Sequence, residues 1–211
     1  MRKQLKFILL ISLIACDSGK PIGSGRVQGL SYENIDAGVA IDLPENWSII
    51  HDHETFKLIS QEILSEAEYR RKWESALAKP LVACYKYKDH IVSNAVINPN
   101  IMVSTEYIPP RSGIKTEAEY LENYKNALKQ HKQRYTFGDS RIIDTGSFKF
   151  TSLSMTFELE GISISKQSLL YKSGDQLLNF TLTWETDDQE TFNHMWQSFL
   201  TTRLILKQGN E

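Results

Sequence analysis

Leu178-Asn179-Phe180-Thr181-Leu182-Thr183-Trp184 alternates apolar and polar side chains without a break. A period of two belongs to a β-strand, so this stretch predicts a strand with one face on a core and the other toward water. Directly after it, Asp187 is positioned to cap a helix, with Glu190 three residues further on. Phe192, Met195, Trp196, Phe199 and Leu200 then fall at helical spacing on one side. A half-buried strand feeding an amphipathic helix sets the theme for the rest of the chain.

Upstream, Arg141 to Thr145, Phe148 to Leu159 and Ile162 to Tyr171 read as strands. Gly146, Glu160-Gly161 and Ser173-Gly174-Asp175 punctuate them as turns. Thr116 with Glu119 three residues on is a capping box, and Leu121, Tyr124 and Leu128 make the apolar stripe of the helix it opens. Ile101, Val103, Thr105 and Tyr107 form another alternating strand, preceded by Leu81 to Tyr87. Gln61 to Ala78 lacks Pro and Gly, and Ile63, Ala67 and Leu77 predict a helix that Pro80 would stop. Val39, Ile41 and Leu43 are followed by Pro44-Glu45-Asn46-Trp47 and then Ile49 and Ile50, a strand, a turn and a strand with Trp47 at the core's edge. No internal repeat interrupts this pattern. The expected fold is α+β, a single domain in which an antiparallel β-sheet is flanked by helices.

Leu43-Pro44-x-x-Trp47 closing one strand, Asn98-Pro99-Asn100-Ile101 opening another, and Asn179-x-Thr181 feeding an aromatic-rich last helix resemble the PsbP-like superfamily. The pattern spans Tyr32 to Leu206. This resemblance implies a PsbP-like α/β/α sandwich. It implies no single activity, since the superfamily includes a photosystem II extrinsic protein, a Ran-binding factor and many bacterial lipoproteins.

The N-terminus reads as an address. Arg2, Lys3 and Lys6 precede an apolar stretch, Phe7 to Ile14, broken only by Ser12. That run is too short for a bilayer core of about 30 Å, but it suits a secretory signal. It ends Leu13-Ile14-Ala15-Cys16, which resembles a bacterial lipobox. The resemblance implies cleavage before Cys16 and lipidation of its thiol, with palmitate-type chains as the anchor. Residues 1–15 are then signal peptide, 16–30 lipidated Cys16 and a glycine-rich tether reaching about 20 Å, and 31–211 the globular domain. The expected location is the extracytoplasmic (periplasmic) face of the cell membrane. Asp17 hints at the inner membrane in a Gram-negative host.

The 211 residues carry 24 basic and 26 acidic side chains, a formal charge of −2. Without Arg2, Lys3 and Lys6, 21 basic residues face 26 acidic ones and the charge is −5. Such a balance argues against nucleic acid as a partner. Anionic lipid would repel it too, so the lipid anchor must supply membrane attachment.

Catalytic signatures are missing: there is no G-x-S-x-G elbow, no phosphate loop and no H-E-x-x-H. The expectation is a protein without catalysis that contacts an envelope protein partner. His51-Asp52-His53-Glu54 is the one cluster with ligand-type residues. On a continuing strand His51 and His53 would share a face and could take a divalent metal in a binding protein or hydrolase. Further ligands would have to come from His90, His131, His194 or an acid, so a solvated strand end is the simpler reading. No cofactor is otherwise expected. Pro109, Pro110 and Arg111, in a stiff polar connection from Tyr107 to Ile114, are the expected partner-contacting residues. Cys84, in an apolar run, is expected to be a buried, inert thiol.

Overall fold

A computed structural model describes residues 23, 25–52, 55–56, 78–88, 97–130, 134–146 and 148–205. Its elements in chain order are β1 (Arg26–Gln28), β2 (Ser31–Asn34), β3 (Val39–Asp42), β4 (Ser48–Ile50), β5 (Ala78–Tyr85) and β6 (Asn100–Tyr107), then helix α1 (Glu117–Lys129). After α1 come β7 (Tyr135–Phe137), β8 (Arg141–Asp144), β9 (Lys149–Leu159), β10 (Ile162–Ser173), β11 (Gln176–Glu185), helix α2 (Gln189–Leu200) and β12 (Arg203–Leu204).

The large sheet runs β4-β5-β6-β11-β10-β9-β7, with β8 also paired to β9, and every pairing is antiparallel. A second sheet, β1-β2-β3-β12, is antiparallel as well. Together with α2 it covers one face of the large sheet, while α1 covers the other. The class is therefore α+β, as the periodicity predicts. The third layer is a helix plus a small sheet rather than helices alone.

Register explains the layering. Leu178, Phe180, Leu182 and Trp184 of β11 enter the main core with Val82, Cys84, Ile101, Val103, Phe150 and Leu169 of the neighbouring strands. Met195 and Phe199 of α2 and Tyr32, Val39, Ile41 and Leu43 of the small sheet close it from above. Leu177, one residue out of phase, joins Leu153, Met155 and Leu170 in a second cluster beneath Leu121 and Leu128 of α1.

Several expectations change. β11 is not half-exposed: Thr181 and Thr183 are buried along with the apolar residues between them. The alternation marks two different neighbours, not core against water. Asp188, not Asp187, caps α2, its Oδ1 accepting from the Thr191 N–H at 3.0 Å. Leu200 sits at the helix's end and is 43% exposed. The helix expected over 61–78 lies outside the described residues except for Ala78, which opens β5. Pro80 is inside that strand, next to a register irregularity between Pro80 and Val82, the kind of place where a strand tolerates a residue without an N–H.

The capping box is present as read, with Thr116 Oγ1 accepting from Glu119 N–H and Glu119 returning to the Thr116 N–H. Trp47 packs at the margin of the main core. Cys84 is fully buried, and burial pushes its thiol up to about 12, which keeps it protonated and unreactive.

The domain also starts earlier than Ser31. β1 pairs with β2, and Gly23 is already held by Asn34 and Asp36. Within the expected tether of 16–30, Arg26–Gln28 is thus a strand of the small sheet, and residues 16–22 lie outside the described residues. Gly and Ser content suggests flexibility, but a glycine can equally allow a close approach, and Gly25 does so here.

Candidate functional site

Between β6 and α1 the chain makes the connection singled out in the sequence. Ile108 is buried in the second cluster, and its N–H donates to the Asp175 carbonyl at 2.7 Å in the β10–β11 turn. Pro110, Arg111 and Ser112 follow as one exposed turn of 3-10 helix, with Pro109 half-buried before it. Gly113 ends the turn at a φ of 77°, a left-handed conformation glycine enters without cost. Ile114 returns to the second cluster, and the capping box opens α1. A second tie comes from Glu117, whose Oε1 accepts the Lys172 N–H at 2.8 Å. The Pro109–Arg111 segment is therefore a small exposed knuckle fastened at both ends. Arg111 is exposed.

Beside this knuckle, the face of the sheet beneath α1 holds polar pairs that sequence reading missed. Tyr120 donates its hydroxyl to Glu106 Oε2 at 2.5 Å. Burial holds the Glu106 carboxyl above its ordinary range, opposed by that hydrogen bond. Tyr120 is raised too, by its own burial first and then by the Glu106 charge. One turn along the helix, Lys166 Nζ donates to Tyr124 Oη at 3.3 Å and lies 5.9 Å from that ring's centre. Between the pairs, Ser168 is fully buried opposite Thr181, and its Oγ makes no hydrogen bond among the described residues. Tyr120 and Tyr124 could be placed on one helical face from their spacing of four. Their partners could not, because Glu106 and Lys166 are brought there only by the pairing of β6, β11 and β10.

Of the expected cluster His51-Asp52-His53-Glu54, only His51 and Asp52 are among the described residues. β4 stops at Ile50, so His51 lies past the strand rather than on a continuing one. Asp52 Oδ1 accepts the Thr55 N–H at 2.7 Å, and that bond holds its carboxyl below the ordinary range. His53, His90 and His131 lie outside the described residues, and His194 is exposed on α2. Among the described residues, no group of three or more His, Cys, Asp or Glu side chains is arranged to hold a metal ion.

The residues behind the family resemblance do structural work. Asn98 pairs with both the N–H and the carbonyl of Tyr87, at 3.0 Å each, and Asn100 Nδ2 donates back to the Asn98 carbonyl. They stitch the start of β6 to the end of β5. Lys86, just before Tyr87, reaches Asp188 at 3.1 Å and Thr191, tying this corner to the start of α2. Cys16 lies outside the described residues. No helix among those residues is long and apolar enough to cross a membrane.

No family model matches the sequence, and no curated protein matches it. Among solved structures the chain is similar to cyanobacterial PsbP (CyanoP) from Synechocystis sp. PCC 6803, at 13% identity and a TM-score of 0.52. That likeness covers 90% of this chain and 98% of the other. Looser likenesses are to LpqN, involved in cell envelope biogenesis of Mycobacterium tuberculosis (16% identity, TM-score 0.42, 79% and 83% of the two chains), and to a Pseudomonas aeruginosa protein of unknown function (17%, 0.40, 53% and 75%). The fold of this chain is PsbP-like.

Proposed function

We propose that this PsbP-like domain is the business end of a lipid-anchored, extracytoplasmic protein, and that it works without catalysis as an interaction or assembly module of the cell envelope. The observation that carries the reading is the run Leu13-Ile14-Ala15-Cys16 behind a basic, apolar leader, a few residues ahead of the point where the folded domain begins. An anchor placed so close to a compact domain keeps it at the membrane surface. Two or three acyl chains make such attachment firm, because each buried methylene contributes about 0.8 kcal/mol.

The knuckle of Pro109, Pro110 and Arg111 is the proposed contact with a protein partner. Its support is mechanical: a short exposed turn between buried Ile108 and half-buried Ile114 loses little freedom on binding.

Two experiments test the two halves. Cys16→Ala should leave the signal uncut or release the protein from membranes; unchanged fractionation and an unchanged size refute the anchor. Cross-linking in intact cells should capture an envelope protein, and Arg111→Ala should weaken the capture while leaving membrane retention intact. Capture that is indifferent to Arg111 moves the contact elsewhere.

A further inference from the structure

The geometry points to one end of the small sheet, the β2–β3 turn carrying Ile35, as the surface that this domain lays against the lipid bilayer. The inference rests on the anchored reading, and it adds an orientation to it.

The N-terminal segment does not leave the domain at random. The Gly23 N–H donates to Asp36 Oδ2 at 3.1 Å, and the Gly23 carbonyl accepts from Asn34 Nδ2 at 2.7 Å. Asn34 is itself buried, and its Oδ1 accepts the Ala37 N–H at 2.9 Å, so the turn and the exit point are one hydrogen-bonded unit. Gly25 makes the approach possible. Its φ is +76°, and a Cβ there would lie 2.6 Å from Tyr32 Oη and 2.7 Å from the Glu33 carbonyl oxygen. Only glycine lets the chain pass so close to β2.

Between the two residues that clip Gly23 stands Ile35, 57% exposed. Ile142 is exposed as well, at 63%, but Ile35 is the one that stands between the residues holding Gly23. At the opposite end of β2, Leu30 is 38% exposed, about 16 Å away at strand spacing. The two residues are chemically alike, and only Ile35 sits at the anchor's exit.

Seven residue steps separate Cys16 from Gly23. Fully extended they span at most about 25 Å, and as a free chain roughly 15 Å. The bilayer is therefore within reach of Ile35 whenever the anchor is inserted. Asp36 stands next to Ile35, so on anionic lipid the contact rests on Ile35 and the anchor rather than on charge.

The test uses full-length lipidated protein in phosphatidylcholine and phosphatidylglycerol vesicles, carrying a fluorophore at Ile35→Cys or, separately, at Leu30→Cys. Cys84 is buried and Cys16 acylated, so each variant labels at one place. A quencher on the lipid headgroup should quench the label at 35 at least about three times as strongly as the label at 30. Gly25→Ala in the Ile35→Cys background should shrink that contrast with membrane retention unchanged. Equal quenching at the two positions, or stronger quenching at 30, overturns the orientation alone. Failure of the unlabelled wild type to stay on vesicles overturns the anchor, and the orientation with it.

Discussion

The two faces of the large sheet are built from the same strands and differ in kind. Toward α2 and the small sheet, the strands present aromatic and aliphatic side chains only a few ångströms apart. Phe150, Phe180 and Phe199 meet edge to face with ring centres 5.0 to 5.7 Å apart. Toward α1, the same strands alternate Leu153, Met155, Leu170 and Leu177 with Glu106, Lys166, Ser168 and Thr181. One face is a packed core whose energy is area and contact. The other adds hydrogen bonds that must be satisfied in low dielectric, where a missing partner is costly. The knuckle proposed to meet a partner joins the polar face, which suits a region that has to be held in place without being sealed.

The largest effect expected comes from the aromatic face. Phe180→Ala should lower unfolding stability by about 3–5 kcal/mol, read from urea midpoints, since the hole opens at the junction of both sheets and α2. A loss below 1 kcal/mol would mean the three rings do not form one core, and the contrast between faces would break. Next in size, Tyr120→Phe removes the hydroxyl that reaches Glu106 and should cost about 1–3 kcal/mol at neutral pH. Smaller and opposite in sign, Ser168→Ala should stabilise by up to about 1 kcal/mol, because the buried hydroxyl it removes has no partner among the described residues. Destabilisation there would reveal a hydrogen bond, and so a more complete polar face.

The subtlest test is one of pH. Glu106 is raised in the folded state, so the native protein holds its proton more tightly than the unfolded chain does. The contribution is fully present below the ordinary glutamate range and is lost as pH rises through the folded-state value. Glu106→Gln should therefore be more stable than the parent at neutral pH, with the difference closing as the solution is acidified below that range. A parallel pair of stability curves would sink the assignment.

Much of this architecture is legible along the chain. The capping box at Thr116 and Glu119, the turn at Pro44 to Trp47 and the four C-terminal strands all have local causes, in side-chain hydrogen bonds and in backbone preferences. The short strands β1, β2, β7 and β12 escaped because two to four residues carry too little periodicity, and what makes them strands is the neighbour they pair with. β12 exists by pairing with β3, some 160 residues earlier. The candidate sites divide the same way. Pro109 to Arg111 could be picked out as a stiff connection, whereas Glu106 with Tyr120, Lys166 with Tyr124, and Gly23 with Asn34 and Asp36 are meetings of distant residues.

Local pattern thus determined the class of fold, the capping box of α1 and the burial of Cys84, since each depends on neighbours within a few positions. Tertiary structure alone decided that Thr181 and Thr183 are buried, because a period of two reports that two sides differ and not what lies against them. It also decided where the N-terminal segment leaves the domain. Composition marks residues 16–30 as a tether, but Gly23 is held by side chains from the next turn of the sheet.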